Sequence, residues 1–422
     1  MNENYYCQCS VCETIVNIKF QVGYIDVVPI SYQCPECGIT ISGEISTDQK
    51  NISTKLSLFN CINMLSVRDI DYYLQISSEF FTPKISLYEP FTISPFIEYS
   101  MMVHESNRKE KLDKFQKLVP NFSKRLINQW HIAKRIFELY RSSNDKLLFN
   151  ELKKLKLVDS KTKYIQFKEK QQNEAITKSI LKVAEHIETT IPLKKEMYSL
   201  LENLRKQKRN EFRNVVNHFN DSYNENITAL IDLIGQFVDY HKYIMPIILA
   251  DLFNLEKVED IKESKGLTSV NFERLKDNYV SSYEVLGNIY PVILALQNLN
   301  SRGNMDSFDP VLRKDFSNIN SIEDYKKMRN KGNKLKFFNN EEKISLTIRK
   351  CLDNDIRNSL GHYTYKTENN QQLIHFLDLK RQPVKSLYLI EFAEMLYNTF
   401  KLALVFLETL SYLKFYSIEI NA

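Results

Sequence analysis

The sequence predicts a mainly α-helical protein that opens with a small β-structured unit, and three observations carry this prediction. Only 9 Gly and 11 Pro occur among the 422 residues, and this scarcity of turn formers favours long helices. Apolar residues recur at helical spacing through most of the chain after residue 108. Five of the seven cysteines lie within the first 37 residues, which indicates metal binding in a reducing compartment.

Two C-x-x-C turns separated by 21 residues define the first predicted domain, residues 1–45. A C-x-x-C turn presents two sulfur atoms from one bend, and four thiolates match the tetrahedral preference of Zn²⁺. The glycine after the second turn, Gly38, tolerates the positive φ that such a turn often needs. The predicted metal ligands are Cys9, Cys12, Cys34 and Cys37, with Cys7 as the alternative to Cys9.

A β-hairpin is predicted between the two turns, because apolar residues alternate with polar ones over residues 16–24. Two cysteine turns around such a hairpin resemble a zinc ribbon, and this resemblance implies that the zinc is structural. The next segment, residues 46–107, is rich in β-branched and aromatic residues and is punctuated by proline. It is predicted to form short strands or extended chain.

The third predicted domain, residues 108–223, is helical and basic. Between Arg108 and Arg213 the chain has 27 Lys and Arg against 13 Asp and Glu. On a chain whose net charge is only +5, this local excess indicates a surface for a polyanion such as RNA or DNA. A solvated helix face would show the same excess of charge. A break is predicted near residue 191, and a helix over about 196–218.

The last predicted domain, residues 224–422, is a helical bundle. A polar Glu-Asn-Asn turn between alternating residues predicts one β-hairpin within it, at about 362–378. Helical spacing predicts helices over about 224–253, 270–299, 321–336, 341–358 and 386–415.

Two R-N-x-x-x-H stretches give the clearest indication of chemistry. One runs from Arg357 to His362 and the other from Arg213 to His218. In both, an acidic and an apolar residue precede the arginine and an aromatic residue follows the histidine. Arginine binds phosphate through two parallel hydrogen bonds, and histidine moves protons near neutral pH. Together they suit phosphodiester cleavage without a metal ion.

The spacing within each stretch predicts where its helix ends. On an unbroken helix, side chains five residues apart point about 140° away from each other. Arg357 and His362 therefore converge only if the helix ends between them, and Gly361 is the residue expected at such an end. The first stretch has no glycine before His218, so Asn217 would have to end its helix.

The R-N-x-x-x-H stretch at Arg357 resembles the R-x4-6-H signature of the HEPN superfamily, found in RNases of toxin–antitoxin, abortive-infection and CRISPR systems. The resemblance covers roughly residues 224–415 and implies that Arg357 and His362 are catalytic. It implies a supporting role for Asn358, and a role for Asp355 in orienting the arginine. HEPN nucleases of this kind need no metal, use the RNA 2′-OH as nucleophile, and leave cyclic phosphate and 5′-OH ends.

The same resemblance implies a dimer, since one Arg–His pair does not readily supply both an acid and a base. The two pairs would come from two copies of the chain, or from an internal pairing of two HEPN halves. In the second case Arg213, Asn214 and His218 would form the second, less certain catalytic group.

The sequence thus predicts an endoribonuclease, acting as an anti-phage defence effector or toxin on tRNA, mRNA or phage RNA, with an antitoxin or sensor as partner. The alternative is a non-catalytic nucleic-acid-binding or regulatory protein that uses the zinc ribbon and basic helices on a degenerate HEPN scaffold. A third hypothesis is an assembly module whose helical domain only dimerises. No secretory signal or membrane-spanning run is evident, so a soluble, cytoplasmic protein is expected.

Overall fold

A computed structural model of the chain confirms the mainly α-helical class. Helices make up most of the chain after residue 95, and small sheets account for most of the structure before it. The described residues are 2–48, 53–66, 69–89, 95–102, 108–159, 161–184 and 191–421.

The strands form small sheets of two to four members. Their bounds are β1 (Asn2–Cys9), β2 (Ile15–Gln21), β3 (Val27–Gln33), β4 (Thr40–Asp48), β5 (Ser53–Phe59), β6 (Cys61–Met64), β7 (Tyr72–Ser77), β8 (Thr82–Pro83), β9 (Lys265–Gly266), β10 (Tyr365–Glu368), β11 (Leu373–Leu377) and β12 (Pro383–Tyr388).

The helices range from a single turn to the 33 residues of the last one. Their bounds are α1 (Pro95–Met102), α2 (Arg108–Leu118), α3 (Phe122–Arg141), α4 (Asp145–Lys154), α5 (Glu169–Leu181), α6 (Ile191–Gln207), α7 (Arg209–His218), α8 (Tyr223–Tyr240), α9 (Met245–Phe253), α10 (Val258–Ile261), α11 (Phe272–Gly287), α12 (Tyr290–Arg302), α13 (Pro310–Asp315), α14 (Ile322–Lys327), α15 (Lys331–Leu335), α16 (Lys343–Cys351), α17 (Asn354–Gly361) and α18 (Leu389–Asn421).

The chain folds into two compact units, each assembled from three separate stretches. The strands described above all belong to the first unit, and the second unit is helical. The first unit contains Met1–Ser123, Asp239–Val280 and Asp355–Tyr397, and the second contains Lys124–Val238, Ser281–Asn354 and Asn398–Ala422.

In the first unit, β2 lies inside a four-stranded sheet of order β6-β1-β2-β7, in which β2 and β7 are parallel. The strand β3 belongs to a different sheet, of order β3-β4-β5. The predicted hairpin between the cysteine turns is therefore wrong, because β2 and β3 pair with other strands. Each cysteine turn instead closes its own antiparallel hairpin, β1–β2 or β3–β4.

The strand β2 ends at Gln21, earlier than predicted, because the chain beyond it bonds to a buried carboxylate. Glu79 accepts hydrogen bonds from the backbone N–H groups of Tyr24, at 2.6 Å, and of Ile25, at 3.2 Å. The carboxylate fills the space beside Gly23, where a Cβ would lie 2.1 Å from Oε2. Glycine is needed here because any side chain would displace Glu79.

The segment predicted as extended, residues 46–107, contains β5 to β8 but also a helix, α1. Pro95 is the first residue of α1, a position at which the missing N–H of proline costs no hydrogen bond. The prediction took this proline only as an interruption. Within the segment, residues 49–52, 67–68, 90–94 and 103–107 lie outside the described ranges.

Several helices predicted as single are divided into two. At the break between α6 and α7, Lys208 has φ −131°, and its Nζ donates to the carbonyl oxygens of Leu299 at 2.7 Å and Asn300 at 3.0 Å. Helical periodicity does not reveal contacts between residues so far apart in the sequence, so it did not predict this break. The divided predictions are 196–218 (α6, α7), 224–253 (α8, α9), 270–299 (α11, α12), 321–336 (α14, α15) and 341–358 (α16, α17).

The second unit contains the greater part of the last helix, from Asn398 onward. Every residue from Leu402 to Leu407 is buried, as expected for a helix that is apolar on all sides. Gly235 on α8 allows Trp130 to approach closely, since a Cβ there would lie 2.6 Å from the indole ring. Among the helices described, none has the apolar length needed to cross a membrane.

Candidate functional site

The R-N-x-x-x-H stretch at Arg357 lies at the C-terminal end of α17, in the first unit. The helix ends at Gly361, between the arginine and the histidine, as predicted. The N–H of His362 still bonds to the carbonyl of Asn358 at 3.0 Å, so the helical bonding pattern reaches the histidine. The chain reverses one residue later, at Tyr363, which has φ 54°.

The reversal follows the hydrogen-bond pattern of a Schellman motif. The N–H of Thr364 bonds to the carbonyl of Ser359 at 2.9 Å, and that of Tyr363 to the carbonyl of Leu360 at 3.3 Å. The left-handed position of this motif is usually a glycine. Here a tyrosine occupies it, so the left-handed residue of this helix end lies two positions beyond Gly361, the last residue of α17.

The Arg357 side chain runs along the helix toward its C-terminal end. A Cβ placed on Gly361 would lie 3.5 Å from Nη1 of Arg357, which locates the guanidinium over the residue that precedes His362. The arginine is half-buried and the histidine is exposed. A cation suited to phosphate and an accessible imidazole therefore lie at the same helix end.

An open cleft of about 340 Å³ lies beside His362. Asp355 and Asn358 line it together with the histidine, so three of the four predicted residues share one cavity. The loop between β11 and β12 also lines the cleft and contributes Lys380. The cleft thus presents an imidazole, an amide, an ammonium group and two carboxylates, those of Asp355 and Asp378, to one bound molecule.

Hydrogen bonds fix the hairpin that follows α17 against the end of the helix. The side chain of Ser359 is buried, and its hydroxyl donates to the carbonyl of Thr364. Thr364 in turn exchanges two hydrogen bonds with Leu377, each 2.8 Å long. The predicted hairpin is confirmed, with β10 paired to β11. The prediction missed its third strand, β12, so the last helix begins at Leu389 and not at 386.

Tyr363 and Lys276 form a second feature of this helix end. Tyr363 is 77% exposed, and the Lys276 ammonium lies 5.6 Å from the centroid of its ring. Lys276 also donates to the hydroxyl of Tyr365 at 2.8 Å and to Glu273. Burial opposes the charge on Lys276, but the hydrogen bonds with Glu273 and Tyr365 outweigh it and raise the pKa of this ammonium group. Lys276 is therefore a fixed cation at neutral pH.

The first R-N-x-x-x-H stretch lies on α7, in the second unit. Its residues make contacts that a structural role explains. Arg213 donates to the carbonyl oxygen of Ile420 at 3.3 Å, and Nε2 of His218 lies 3.0 Å from a carboxylate oxygen of Glu323. Asn214 is exposed. The two stretches thus belong to different units, and the catalytic role of the first remains a hypothesis.

The helix of the first stretch does not end at Asn217 as predicted. It continues to His218, so Arg213 and His218 stay five residues apart on a regular helix. Such residues point away from each other, whereas the stretch at Arg357 lies where its helix stops.

Four cysteines of the first unit form a candidate metal site. Their sulfur atoms all lie within 4.8 Å of one another, with 3.7 Å between Cys9 and Cys37 and 3.4 Å between Cys12 and Cys34. A tetrahedron with metal–sulfur bonds of about 2.3 Å has edges of about 3.8 Å. The spacing therefore fits one ion held by four thiolates.

The backbone of the two cysteine turns is nearly identical. In each, the N–H of the first cysteine, Cys9 or Cys34, bonds to the carbonyl five residues later at 2.9 Å. The residue four positions later donates back to that cysteine and has a positive φ, 63° at Glu13 and 73° at Gly38. The expectation of a positive φ at Gly38 is confirmed.

The structure also chooses between the two candidates for the first ligand. Cys9 belongs to the group of four, whereas Cys7 does not. Cys7 is buried and shares a hydrogen bond with Cys61. Four thiolates complete a tetrahedral ion without an open position, which suits a structural site.

Sequence reasoning missed three residues that lie close to the end of α17 in space. They are Tyr363, Lys276 and Lys380. In the sequence, Tyr363 stands out only as the aromatic residue that follows the motif. A helix that stops and leads into a strand often needs a left-handed residue near that position. The two lysines are separated from the motif along the chain and have no spacing signal. Neither protein-family models, curated protein sequences nor solved structures give a match to this chain.

Proposed function

We propose that this chain is a metal-independent endoribonuclease of the HEPN type, with its active site at the end of α17. The observation that carries the proposal is the Arg357 guanidinium over Gly361, next to an exposed His362. The adjoining cleft, with Asn358 and Lys380 in its walls, has room for a phosphodiester linkage. Arginine for the phosphate and histidine for the proton are the two groups that this cleavage requires.

In the proposed reaction, the neutral imidazole of His362 accepts the proton of a ribose 2′-OH, and the 2′ oxygen attacks the adjacent phosphorus. The bond from phosphorus to the 5′ oxygen breaks, and that oxygen leaves with a proton from a general acid. Arg357 binds the non-bridging oxygens, on which negative charge grows in the transition state. The products are a 2′,3′-cyclic phosphate and a 5′-OH.

The leaving oxygen needs an acid while His362 acts as the base. We assign that acid to the same histidine of a second copy of the chain, which makes the working enzyme a homodimer. Two exposed apolar side chains line the cleft, Leu379 and Val384, and a second copy of the chain at this site would cover them.

The family analogy supplies the proposed biological role. A HEPN ribonuclease of this kind would act as a defence effector or toxin on tRNA, mRNA or phage RNA, restrained by an antitoxin or sensor. The four-cysteine site would hold Zn²⁺ as a structural ion, since its thiolates leave no position for a reacting water.

The test is RNA cleavage by purified wild type, Arg357→Ala and His362→Ala in EDTA, with end-group analysis of the products. The metal content of the protein is measured after the reaction, so that loss of a structural ion is not mistaken for loss of a catalytic one. Two exposed residues elsewhere, His131 and Arg329, provide matched alanine controls.

Cleavage by wild type and both controls alone, giving cyclic phosphate ends, is the expected result. Cleavage that persists in both site variants would move the activity to Arg213 and His218. RNA binding without cleavage by any form would favour the non-catalytic nucleic-acid-binding protein, whose surface the basic helices supply.

A further inference from the structure

Two properties of Tyr363 matter beside the proposed active site, its left-handed backbone and its exposed aromatic ring. Its φ of 54° lies in the left-handed region, where a side chain is strained and glycine is the usual choice. The residue is also 77% exposed, so burial does not compensate for the strain. A strained residue beside a reactive group is a reason to look for a function.

The position of the ring points to a ligand for it. Tyr363 directly follows His362 and lies two residues beyond Gly361, over which the Arg357 guanidinium is placed. An RNA phosphate bound at this helix end would bring the bases of the adjoining nucleotides close to the ring.

Lys276 holds the ring from the side of the protein. Its ammonium lies 5.6 Å from the ring centroid and is anchored by Tyr365 and Glu273. A cation on one side of a tyrosine ring attracts its π electrons and leaves the exposed side for another flat group. The same charge attracts an RNA backbone.

We propose that the exposed face of Tyr363 stacks an unpaired base of single-stranded RNA beside the phosphate bound at Arg357 and His362. This inference rests on the proposed ribonuclease function and names its substrate class. Bases of a duplex are stacked on one another and cannot reach a ring on the protein, whereas splayed bases of single strands stack on aromatic side chains.

The test compares RNA binding by three forms of the full chain, all carrying His362→Ala to prevent cleavage: otherwise unchanged, Tyr363→Phe and Tyr363→Gly. Each is titrated by fluorescence anisotropy with a uridine octamer and with an abasic octamer of equal charge. Stacking of one base on an aromatic ring corresponds to a preference on the order of tenfold for the uridine octamer. The phenylalanine form keeps this preference, and the glycine form binds both octamers with the lower affinity.

Retention of the preference by the Tyr363→Gly form, or its absence in the unchanged form, overturns the proposal. Misfolding is not expected to explain a loss of binding, because glycine suits the left-handed position. The melting temperature of the Tyr363→Gly form is expected to equal or exceed that of the parent. Cleavage is then measured with His362 restored. If the protein prefers the uridine octamer but does not cleave RNA, the proposed ribonuclease function is refuted and the proposed base stacking stands. If the protein cleaves RNA and Tyr363→Gly does not slow cleavage, the base stacking alone is refuted.

Discussion

Glu13 and Gly38 occupy the same place in the two cysteine turns, and both have a positive φ, 63° and 73°. Each donates its N–H to the carbonyl of the first cysteine of its turn. The turns therefore differ in strain although their hydrogen bonds match, because only glycine adopts this conformation without a steric cost.

Substitutions at these two positions should change the stability of the protein in opposite directions. Glu13→Gly is expected to raise the free energy of unfolding by about 1 kcal/mol, and Gly38→Ala to lower it by about 1 kcal/mol or more. Urea titration of both variants measures the difference. Equal and small effects at both positions would contradict the difference in strain, since neither position would then require a left-handed backbone in solution.

The metal site predicts a defined change in metal content. Purified protein is expected to carry about one Zn²⁺ per chain by elemental analysis, and Cys34→Ser is expected to reduce this strongly. Cys61 lies outside the group of four, so Cys61→Ser is the matched control and should retain the ion. Equal metal content in both variants would refute the assignment of ligands.

The contact between Arg357 and Gly361 predicts that the glycine is replaceable. A Cβ at position 361 would lie at an ordinary contact distance, 3.5 Å, from the guanidinium. Gly361→Ala should therefore preserve RNA cleavage and raise stability by about 0.5–1 kcal/mol, because alanine is the better helix former. Thermal unfolding and a cleavage assay measure both effects, and a large loss of cleavage would show that the arginine needs that space.

Replacing Arg357 by lysine separates charge from shape. Lysine keeps the positive charge but cannot form the paired hydrogen bonds of a guanidinium with phosphate. Arg357→Lys is expected to lower kcat/KM by roughly 10- to 100-fold, and Arg357→Ala by more. Steady-state kinetics on one oligonucleotide compare the two, and full activity of the lysine variant would mean that charge alone suffices.

Glu79 predicts a pH dependence of stability. Burial raises the pKa of its carboxyl group despite the hydrogen bonds from Ser78, Tyr24 and Ile25. A carboxyl whose pKa is raised by folding destabilises the native state as pH rises above the unfolded pKa of about 4.3. The side chain of the Glu79→Gln variant does not ionise, so the wild type should lose stability relative to this variant as the pH rises above about 4.3 toward neutrality. Urea unfolding of both proteins across this range measures the difference, and a constant difference would contradict the prediction.

Local signals in the sequence were sufficient where a few neighbouring residues determine the structure. The two cysteine turns, the positive φ at Gly38 and the end of α17 at Gly361 are features of this kind. The Arg–His stretch was found in the same way, although its chemistry stays a proposal.

Long-range contacts account for what the sequence did not predict. The strand β2 pairs with β7, so that Val16 lies opposite Tyr72, and no periodicity reports such a partner. At the break between α6 and α7, the side chain of Lys208 donates a hydrogen bond to the carbonyl of Leu299, 91 residues away. Tyr363 took the left-handed position although the sequence offers a glycine two residues earlier, and only the hydrogen bonds of the reversal reveal it.

The two cysteine turns sit on hairpins of different sheets, so the complete set of four thiolates exists only when both hairpins are folded. An ion held there would bind the native state more tightly than the unfolded chain, which offers only separate pairs of cysteines. By mass action, each tenfold rise in free metal would then add up to about 1.4 kcal/mol to the free energy of unfolding. The stability of the first unit would then depend on the concentration of free metal as well as on the amino-acid sequence. Two preparations of the same chain, dialysed against different traces of metal, would melt at different temperatures.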